Sequence, residues 1–193
     1  MDVKIELEEL LKVGAHFGHQ TRRWNPKMKD YLYGSENGVH IFDSVKTKAA
    51  LEEALVFLRS AVRDGKTVLL VGTKKQIKEK VREVAEKLGF AYVNERWLGG
   101  TISNFDQIKK SLKKLADMKE QMASGGYADY TKKEKLLIER EIARLERFFG
   151  GLAGLEKAPD IIFVVDTRKE ISAVREAKRK GVTVVGLVDS NAD

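Results

Sequence analysis

Apolar runs alternate with amphipathic stretches in two separate parts of the chain. In the first part, an apolar run at 66–72 is followed by an amphipathic stretch at 74–89 and a second apolar run at 90–93. The second part repeats this order, with apolar runs at 160–166 and 182–189 on either side of an amphipathic stretch at 169–180. The apolar runs are almost continuous in Val, Ile and Leu, which is typical of strands that are buried on both faces. Strand, helix and strand in this order predict right-handed crossovers in a parallel sheet. The pattern therefore indicates an α/β protein.

The first 65 residues follow a different pattern. Leucines on one face of residues 3–13 predict a short helix. The segments YLYG and VHIF flank SENG, which predicts a β-hairpin with Gly38 in its turn. Asp43 or Ser44 can cap a following helix, whose apolar residues recur at helical spacing up to Val62. We therefore predict a hairpin followed by a long helix in this part of the chain.

A helical hairpin is predicted between the two strand–helix–strand parts, over residues 102–149. Its apolar residues recur at intervals of three and four in two runs, which are Ile108, Leu112, Leu115, Met118 and Met122, then Ile138, Ile142, Leu145 and Phe149. Such spacing is typical of coiled-coil seams, and SGGYADYT between the runs is typical of a connection between antiparallel helices. We therefore predict an antiparallel coiled-coil hairpin at 102–149, inserted into an α/β domain formed by 1–101 and 150–193.

Cations are unevenly distributed along the chain. Lys and Arg total 36 against 29 Asp and Glu, a formal net charge of +7, and the excess concentrates at 21–29, 59–82 and 168–181. Concentrated cations are expected of a protein that binds a polyanion such as RNA. Lysines on exposed helix faces also serve solubility alone. For the clusters at 59–82 and 168–181 both interpretations stay open.

The segment HQTRRWNPKMK, residues 19–29, is called the basic strip below, and it contains no acidic residue. Guanidinium groups of Arg22 and Arg23 can hold phosphates in a bidentate manner, and the ammonium groups of Lys27 and Lys29 can act as point charges. We therefore predict that the basic strip contacts phosphates.

Other residues of the basic strip influence its conformation. Trp24 offers a flat face for stacking on a base, or an anchor that holds the strip on its domain. Pro26 fixes its own backbone and biases Asn25 towards an extended conformation. We therefore expect a rigid, extended, cationic strip.

Further RNA contacts are predicted outside the basic strip. The segment NERWLGGTISN, residues 94–104, again combines a cation, an aromatic residue and a turn, although Trp97 can instead fill the junction between two lobes. Lysines on one side of the first hairpin helix form either a solvated face or a row of phosphate contacts. The candidate RNA-binding residues outside the strip are Lys74, Lys75, Arg96, Asn104, Lys109, Lys110, Lys113 and Lys114.

An enzyme or ligand-binding protein is the competing interpretation. Gly72 lies between a strand and a helix, where an anion can meet backbone N–H groups, but neither G-x-G-x-x-G nor a P-loop is present. Asp166 and Asp189 end strands, where open α/β sheets bind ligands. No serine lies in a G-x-S-x-G elbow. The sequence thus contains no catalytic constellation, and a nucleotide- or sugar-phosphate-binding protein stays as the alternative.

The histidines are weak candidates for a metal site. His16 and His19 are three residues apart and can share a metal if the segment is helical, with Asp189 or Asp193 completing the site. The chain has no cysteine, and H-E-x-x-H is absent. We therefore expect no cofactor, with zinc as the metal that these residues would hold.

The apolar runs are too short for a membrane helix, and the N-terminus lacks the basic start and apolar centre of a secretory signal. The absence of cysteine agrees with a reducing compartment. We expect a cytoplasmic protein with no membrane partner and no small-molecule substrate.

Five blocks of the sequence together resemble a known family. They are GAHFGHQTRRWNPKM (14–28), GVHIFDSVKT (38–47), VLLVGTKKQ (68–76), RWLGGTISNF (96–105) and the segment from PDIIFVVD to VDSNAD (159–193). In this order, and over nearly the whole chain, they are similar to ribosomal protein S-two of the bacterial small subunit.

The resemblance implies a flavodoxin-like three-layer α/β domain with a protruding coiled-coil hairpin, and a role without catalysis. It implies binding to 16S rRNA between the head and body of the small subunit and docking of ribosomal protein S-one; a scaffold that binds S-one without RNA is a further alternative. Family members usually continue beyond SNAD with a strand segment and a helix, so we expect the C-terminal part of the domain to be truncated. An association of the family with zinc is also implied.

Overall fold

The computed structural model describes residues 5–192, and the chain forms two compact units. The first unit contains Met1–Lys66, Val165–Lys169 and Val185–Asp193, and the second contains Thr67–Val164 and Glu170–Val184. The predicted division into 1–101 with 150–193 and a separate 102–149 stays a prediction.

The elements are numbered in chain order. The helices are α1 (Leu7–Lys12), α2 (Ser44–Arg63), α3 (Lys78–Leu88), α4 (Phe105–Ala123), α5 (Lys132–Phe149) and α6 (Ile171–Lys180). The strands are β1 (Phe17–Gln20), β2 (Leu32–Glu36), β3 (Val39–Phe42), β4 (Val68–Val71), β5 (Ala91–Val93), β6 (Ile161–Val165) and β7 (Thr183–Leu187). Short 3₁₀ helices cover Thr21–Arg23, Pro26–Tyr31 and Gly150–Leu152.

The first unit is built on an antiparallel sheet of three strands in the order β1-β3-β2. The predicted hairpin is confirmed, and its turn uses Asn37 and Gly38 with φ angles of 50° and 77°. Positive φ at both central residues is what a type I′ turn requires, and Asn-Gly adopts it at little cost. Asp43 caps α2, as its carboxylate accepts hydrogen bonds from the N–H groups of Val45 and Lys46.

Helix α1 is shorter than the pattern predicts. Residues 3 and 4 lie outside the described part of the chain, and the helix begins only at Leu7. Glu6 has φ −91° and ψ 134°, an extended conformation that does not continue a helix. The leucine spacing thus identified the helix but not its first residue.

The parallel sheet predicted from the apolar runs is confirmed. Its strands follow the order β5-β4-β6-β7, and β4 pairs in parallel with both β5 and β6. The two central strands are almost wholly buried, which explains why their sequences show no alternation of apolar and polar residues. Gly89 and Gly181 end α3 and α6 in the left-handed conformation, with φ of 68° and 71°.

Helices α4 and α5 contact each other and are joined by eight residues. Every apolar position that was predicted to form a seam is buried or half-buried, from Ile108 to Met122 and from Ile138 to Phe149. Thr131 and Glu134 form a capping box that starts α5. Two ion pairs link the helices, Lys114 with Glu141 at 2.9 Å and Lys119 with Glu146 at 2.6 Å. The coiled-coil geometry itself stays a prediction.

The segment between β5 and α4 is held by one carboxylate of α6. Glu176 accepts hydrogen bonds from the indole N–H of Trp97 (2.9 Å), from the backbone N–H groups of Gly100, Ile102 and Ser103, and from the Ser103 hydroxyl (2.8 Å). Trp97 is only 8% exposed and belongs to the hydrophobic core of the second unit. The interpretation of Trp97 as an internal anchor is therefore supported over RNA stacking.

The hydrogen bonds determine the ionisation of Glu176. Burial of the carboxyl group opposes its ionisation, but the hydrogen bonds donated by Ser103, Trp97 and Ile102 together outweigh burial and hold the pKa of Glu176 below its ordinary value. A carboxyl group with a lowered pKa stabilises the fold above its ordinary pKa, and this contribution is lost as the pH falls through the folded value.

We predict that Glu176→Gln lowers the free energy of unfolding at pH 7 by about 2 kcal/mol, because charge-assisted hydrogen bonds are replaced and an amide NH₂ faces other donors. The difference from the wild type should shrink as the pH falls from ~4.5, where the carboxyl group of the unfolded chain begins to bind protons, through the lowered pKa of folded Glu176. Urea unfolding at several pH values measures both effects. Glu156→Gln, at an exposed position, is the control and should change stability by less than about 0.5 kcal/mol. An equal loss at pH 3 and pH 7 would contradict the assignment.

Candidate nucleic-acid interface

The backbone of the basic strip is compact rather than extended. Strand β1 ends at Gln20, the 3₁₀ helix Thr21–Arg23 follows, and a second 3₁₀ helix begins at Pro26. The expectation of an extended strip was therefore wrong, except at Trp24 and at Asn25, whose φ of −102° and ψ of 126° fit the bias imposed by the following proline. The Asn25 side chain accepts a hydrogen bond from the Lys27 N–H, a local interaction that competes with extended structure.

The cations of the basic strip point their side chains into solvent. Arg22, Arg23, Lys27 and Lys29 are all exposed. The Arg22 Nε donates to the side-chain oxygen of Gln20 at 3.1 Å, which orients the guanidinium without neutralising it. In the described part of the chain, Arg22 and Arg23 form no ion pair with a carboxylate. The strip thus presents exposed positive charge, with the guanidinium groups of Arg22 and Arg23 accessible to an anion.

Trp24 is half-buried and packs on a histidine. Its ring lies 4.7 Å from the ring of His40, centroid to centroid, with the planes tilted by 40°. Aromatic pairs prefer such tilted or offset geometries. Of the two predicted roles, the structure favours the anchor, because one side of the indole is occupied by His40 on β3.

The strip is fastened to a segment near the other end of the sequence. The Asn25 N–H donates to the backbone oxygen of Ser190 at 2.8 Å, and the His19 N–H donates to the Ser190 hydroxyl oxygen at 2.7 Å. Ser190 is completely buried, and its own N–H donates to the Asp189 carboxylate at 2.6 Å. Two points of the strip, six residues apart, are therefore fixed to one residue.

Gly18 is required by this close approach. A Cβ at position 18 would lie 2.8 Å from the Ser190 hydroxyl oxygen and 3.1 Å from its Cβ. Sequence reasoning missed both residues; the one local signal was the turn-forming Asp-Ser-Asn at 189–191.

The candidates outside the strip are dispersed over several elements. Lys74 is half-buried, and Lys75 and Arg96 are exposed, as are Asn104 and the lysines at 109, 110 and 113. Lys109 lies over the Phe105 ring at 5.7 Å. Lys114 is paired with Glu141, and hydrogen bonds from Arg144 and from Lys114 lower the pKa of Glu141 to about 2. A phosphate would have to compete with that carboxylate for Lys114.

The turn after β4 was considered above as a place for an anion, but a carboxylate of the protein itself occupies it. Glu170 is only 3% exposed, and its carboxylate accepts from the Thr73 N–H at 2.9 Å and from the Thr73 hydroxyl at 2.5 Å. Asp166, at the end of β6, accepts from the N–H of Lys169 at 3.0 Å. The donors that a phosphate would use after β4 are thus engaged by the protein itself. Sequence reasoning did not find Glu170.

Comparison with known proteins agrees with a ribosomal role. The family model Ribosomal protein S2 matches residues 10–193. The chain belongs to the ribosomal protein S2 family. The small ribosomal subunit protein uS2 of Chloroflexus aggregans is 49% identical over 189 residues, which are 98% of this chain and 79% of that protein.

Two further relatives are similar to the same extent. The small ribosomal subunit protein uS2 of Chloroflexus aurantiacus is 48% identical over 98% of this chain and 79% of its own length. The protein of that name from Coprothermobacter proteolyticus is 46% identical over 98% of this chain and 70% of its own length. The resemblance found in the sequence is thereby confirmed at the level of the family.

In this member of the ribosomal protein S2 family the two histidines that were weak candidates for a metal site do not lie on a helix. His19 lies on strand β1 with His16 just before it, so the helical spacing that would join them is wrong. His19 Nδ1 lies 3.0 Å from a carboxylate oxygen of Asp189, and its Nε2 lies 3.0 Å from the side-chain nitrogen of Asn191. Between residues 5 and 192 no group of three His, Cys, Asp or Glu residues is placed to hold a metal, and Asp193 lies outside that range.

No helix within residues 5–192 of this ribosomal protein S2 family member has the length and apolar character needed to cross a membrane.

We predict that Gly18→Ala destabilises the protein by about 1–3 kcal/mol, because the added methyl group overlaps Ser190. Ser190→Gly should restore part of this loss in the double variant, although alone it removes the hydrogen bond to His19. Urea unfolding of the four proteins gives the coupling free energy.

Gly34→Ala is the matched control, since nothing lies within 4 Å of a Cβ at that strand position, and it should change stability by less than about 1 kcal/mol. Strictly additive effects of Gly18→Ala and Ser190→Gly would show that the two residues do not touch.

Proposed function

We propose that the protein is a structural constituent of the small ribosomal subunit that binds 16S rRNA between head and body and catalyses no reaction. The observation that carries this proposal is the basic strip. Its arginines and lysines are exposed, its backbone is hydrogen-bonded to the buried Ser190, and it contains no acidic residue from 19 to 29. Membership in the ribosomal protein S2 family, and relatives named as small ribosomal subunit proteins, support the same role.

The fixed backbone of the strip matters for affinity. Binding a phosphate with a mobile loop costs the conformational entropy of ordering that loop. The hydrogen bonds of Asn25 and His19 to Ser190, and that of the Thr21 N–H to the Gly38 oxygen (2.9 Å), order the backbone before RNA arrives. The arginine side chains then need only to settle on phosphates, where their planar groups bind in a bidentate manner.

The alternative of a nucleotide- or sugar-phosphate-binding protein has less support. Such ligands bind at the carboxyl ends of parallel strands, where backbone N–H groups receive the phosphate. After β4, the Thr73 N–H and hydroxyl are engaged by Glu170, and a phosphate would have to displace a buried carboxylate and then remain beside it. The repulsion between two anions at this distance disfavours that exchange.

Three finer features follow from the family resemblance. The parallel sheet is proposed to be the centre of a flavodoxin-like three-layer domain, and α4 with α5 a coiled-coil hairpin that contacts rRNA or a neighbouring protein. Docking of ribosomal protein S-one rests on the resemblance alone. The predicted contacts of Lys74, Lys75, Arg96, Asn104 and the α4 lysines are proposals of the same kind, with Lys114 the weakest because Glu141 pairs with it.

We predict that Arg23→Glu weakens binding to 16S rRNA and reduces the slope of log affinity against log salt by about one, because one phosphate contact is lost. Filter binding or fluorescence anisotropy over a series of salt concentrations measures the slope. The reversed charge should also lower affinity further at low salt, where repulsion is screened least.

Lys12→Glu is the control for this charge reversal, since Lys12 is an exposed cation in the last turn of α1 and lies outside the three cation clusters. Its salt slope should equal that of the wild type. A slope unchanged by Arg23→Glu, with folding intact by circular dichroism, would count against the basic strip as an RNA contact.

A further inference from the structure

Arg168 is fastened to the same segment as the basic strip. Its Nη1 donates to the backbone oxygen of Asn191 at 3.0 Å, while the Asn25 N–H donates to the backbone oxygen of Ser190 at 2.8 Å. Consecutive residues are 3.80 Å apart along the chain. Because the carbonyl oxygens of consecutive residues lie within about 5 Å of each other, the Arg168 Nη1 lies within about 11 Å of the Asn25 nitrogen. All four residues belong to the first compact unit.

From this placement we infer that Arg168 is an RNA contact and that the basic strip and Arg168 form one phosphate-binding surface, held together by the carbonyls of Ser190 and Asn191. This inference rests on the proposed function. It adds a contact 139 positions after Lys29, the last residue of the strip, from a segment that belongs to the same compact unit.

The side chain of Arg168 is suited to such a contact. It is exposed, and its bond to Asn191 uses one of the five N–H donors of a guanidinium, so the planar group is oriented while other donors face solvent. The acceptor is a neutral carbonyl, which leaves the positive charge in place. Orientation by one fixed bond reduces the entropy lost when a phosphate binds.

Asp166 and Asp189, two acidic residues near Arg168 and Asn191 along the chain, accept hydrogen bonds from backbone N–H groups. Asp166 accepts from the N–H of Lys169, and Asp189 lies against His19 and accepts from the N–H of Ser190. Their carboxylates are thus used to shape the two loops. The exposed Lys169 lies next to Arg168 and adds to the positive potential.

The other cations of the 168–181 cluster have an ordinary explanation. Lys178, Arg179 and Lys180 occupy the last turn of α6, where positive charge stabilises a helix C-terminus. Arg175 lies in the middle of α6, is exposed, and belongs to the second unit. The cluster at 168–181 is therefore divided. Arg168 is assigned to RNA binding, and the three cations in the last turn of α6 are assigned to stabilising the end of that helix.

The test compares Arg168→Ala, Arg168→Lys and Arg175→Ala for binding to 16S rRNA over a series of salt concentrations, with Arg23→Glu measured in parallel. Loss of one phosphate contact should reduce the salt slope by about one and weaken binding roughly fivefold near 0.15 M salt. Arg168→Ala should show this change. Arg168→Lys should keep the wild-type slope, because the slope counts charges, and Arg175→Ala should match the wild type.

Two results would overturn the inference while leaving the proposed function standing: a wild-type slope for Arg168→Ala when Arg23→Glu lowers it, or a slope that Arg168→Lys fails to restore. Wild-type slopes for both Arg23→Glu and Arg168→Ala would refute the proposed RNA contact of the strip itself. Thermal unfolding of each variant excludes loss of the fold as the cause, since Arg168 is exposed and its replacement should leave the melting temperature unchanged within about 2 °C.

Discussion

The arrangement of the proposed RNA surface depends on the burial of Ser190. This residue has no exposed surface, and every polar group it offers is used: its N–H by Asp189, its hydroxyl by His19 and its carbonyl by Asn25. A buried group that lost one of these partners would bear the full cost of its desolvation. The hydrogen bonds that Ser190 requires thus fix the position of the strip. The cations lie on this fixed backbone.

Several carboxylates elsewhere in the protein also accept hydrogen bonds or form ion pairs within the fold. Glu170 occupies the N–H and hydroxyl of Thr73, Glu176 holds the segment before α4, and Glu95 is paired with Lys78 (2.8 Å) and Arg147 (2.6 Å). Hydrogen bonds from Lys78 and Arg147 lower the pKa of Glu95. These carboxylates therefore stabilise internal loops and ion pairs, while the cations of the strip are exposed at the surface. A scaffold of this kind offers a polyanion a binding surface and offers a small anion little.

Local patterns predicted the parts of the fold that short-range physics determines. The continuous apolar runs became the buried parallel strands, Asn37 and Gly38 became the hairpin turn, and Asp43 became the cap of α2. Sequence patterns failed where the conformation is determined by distant partners. The bond from His19 to Ser190 joins residues 171 positions apart, and no periodicity encodes it. The expectation of an extended strip was wrong because side-chain hydrogen bonds such as that of Asn25 favour tight turns. The helical segment that would bring His16 and His19 together is absent, because His19 lies on strand β1.

The central claim is that the basic strip, together with Arg168, lies against ribosomal RNA. Ultraviolet cross-linking of assembled small subunits, followed by mass spectrometry of the nucleotide-bearing peptides, tests it most directly. The account predicts adducts on peptides from residues 19–29 and from the segment around Arg168, with none on the α6 peptide that contains Arg175. Adducts confined to other segments, with residues 19–29 recovered unmodified and in full yield, would contradict it.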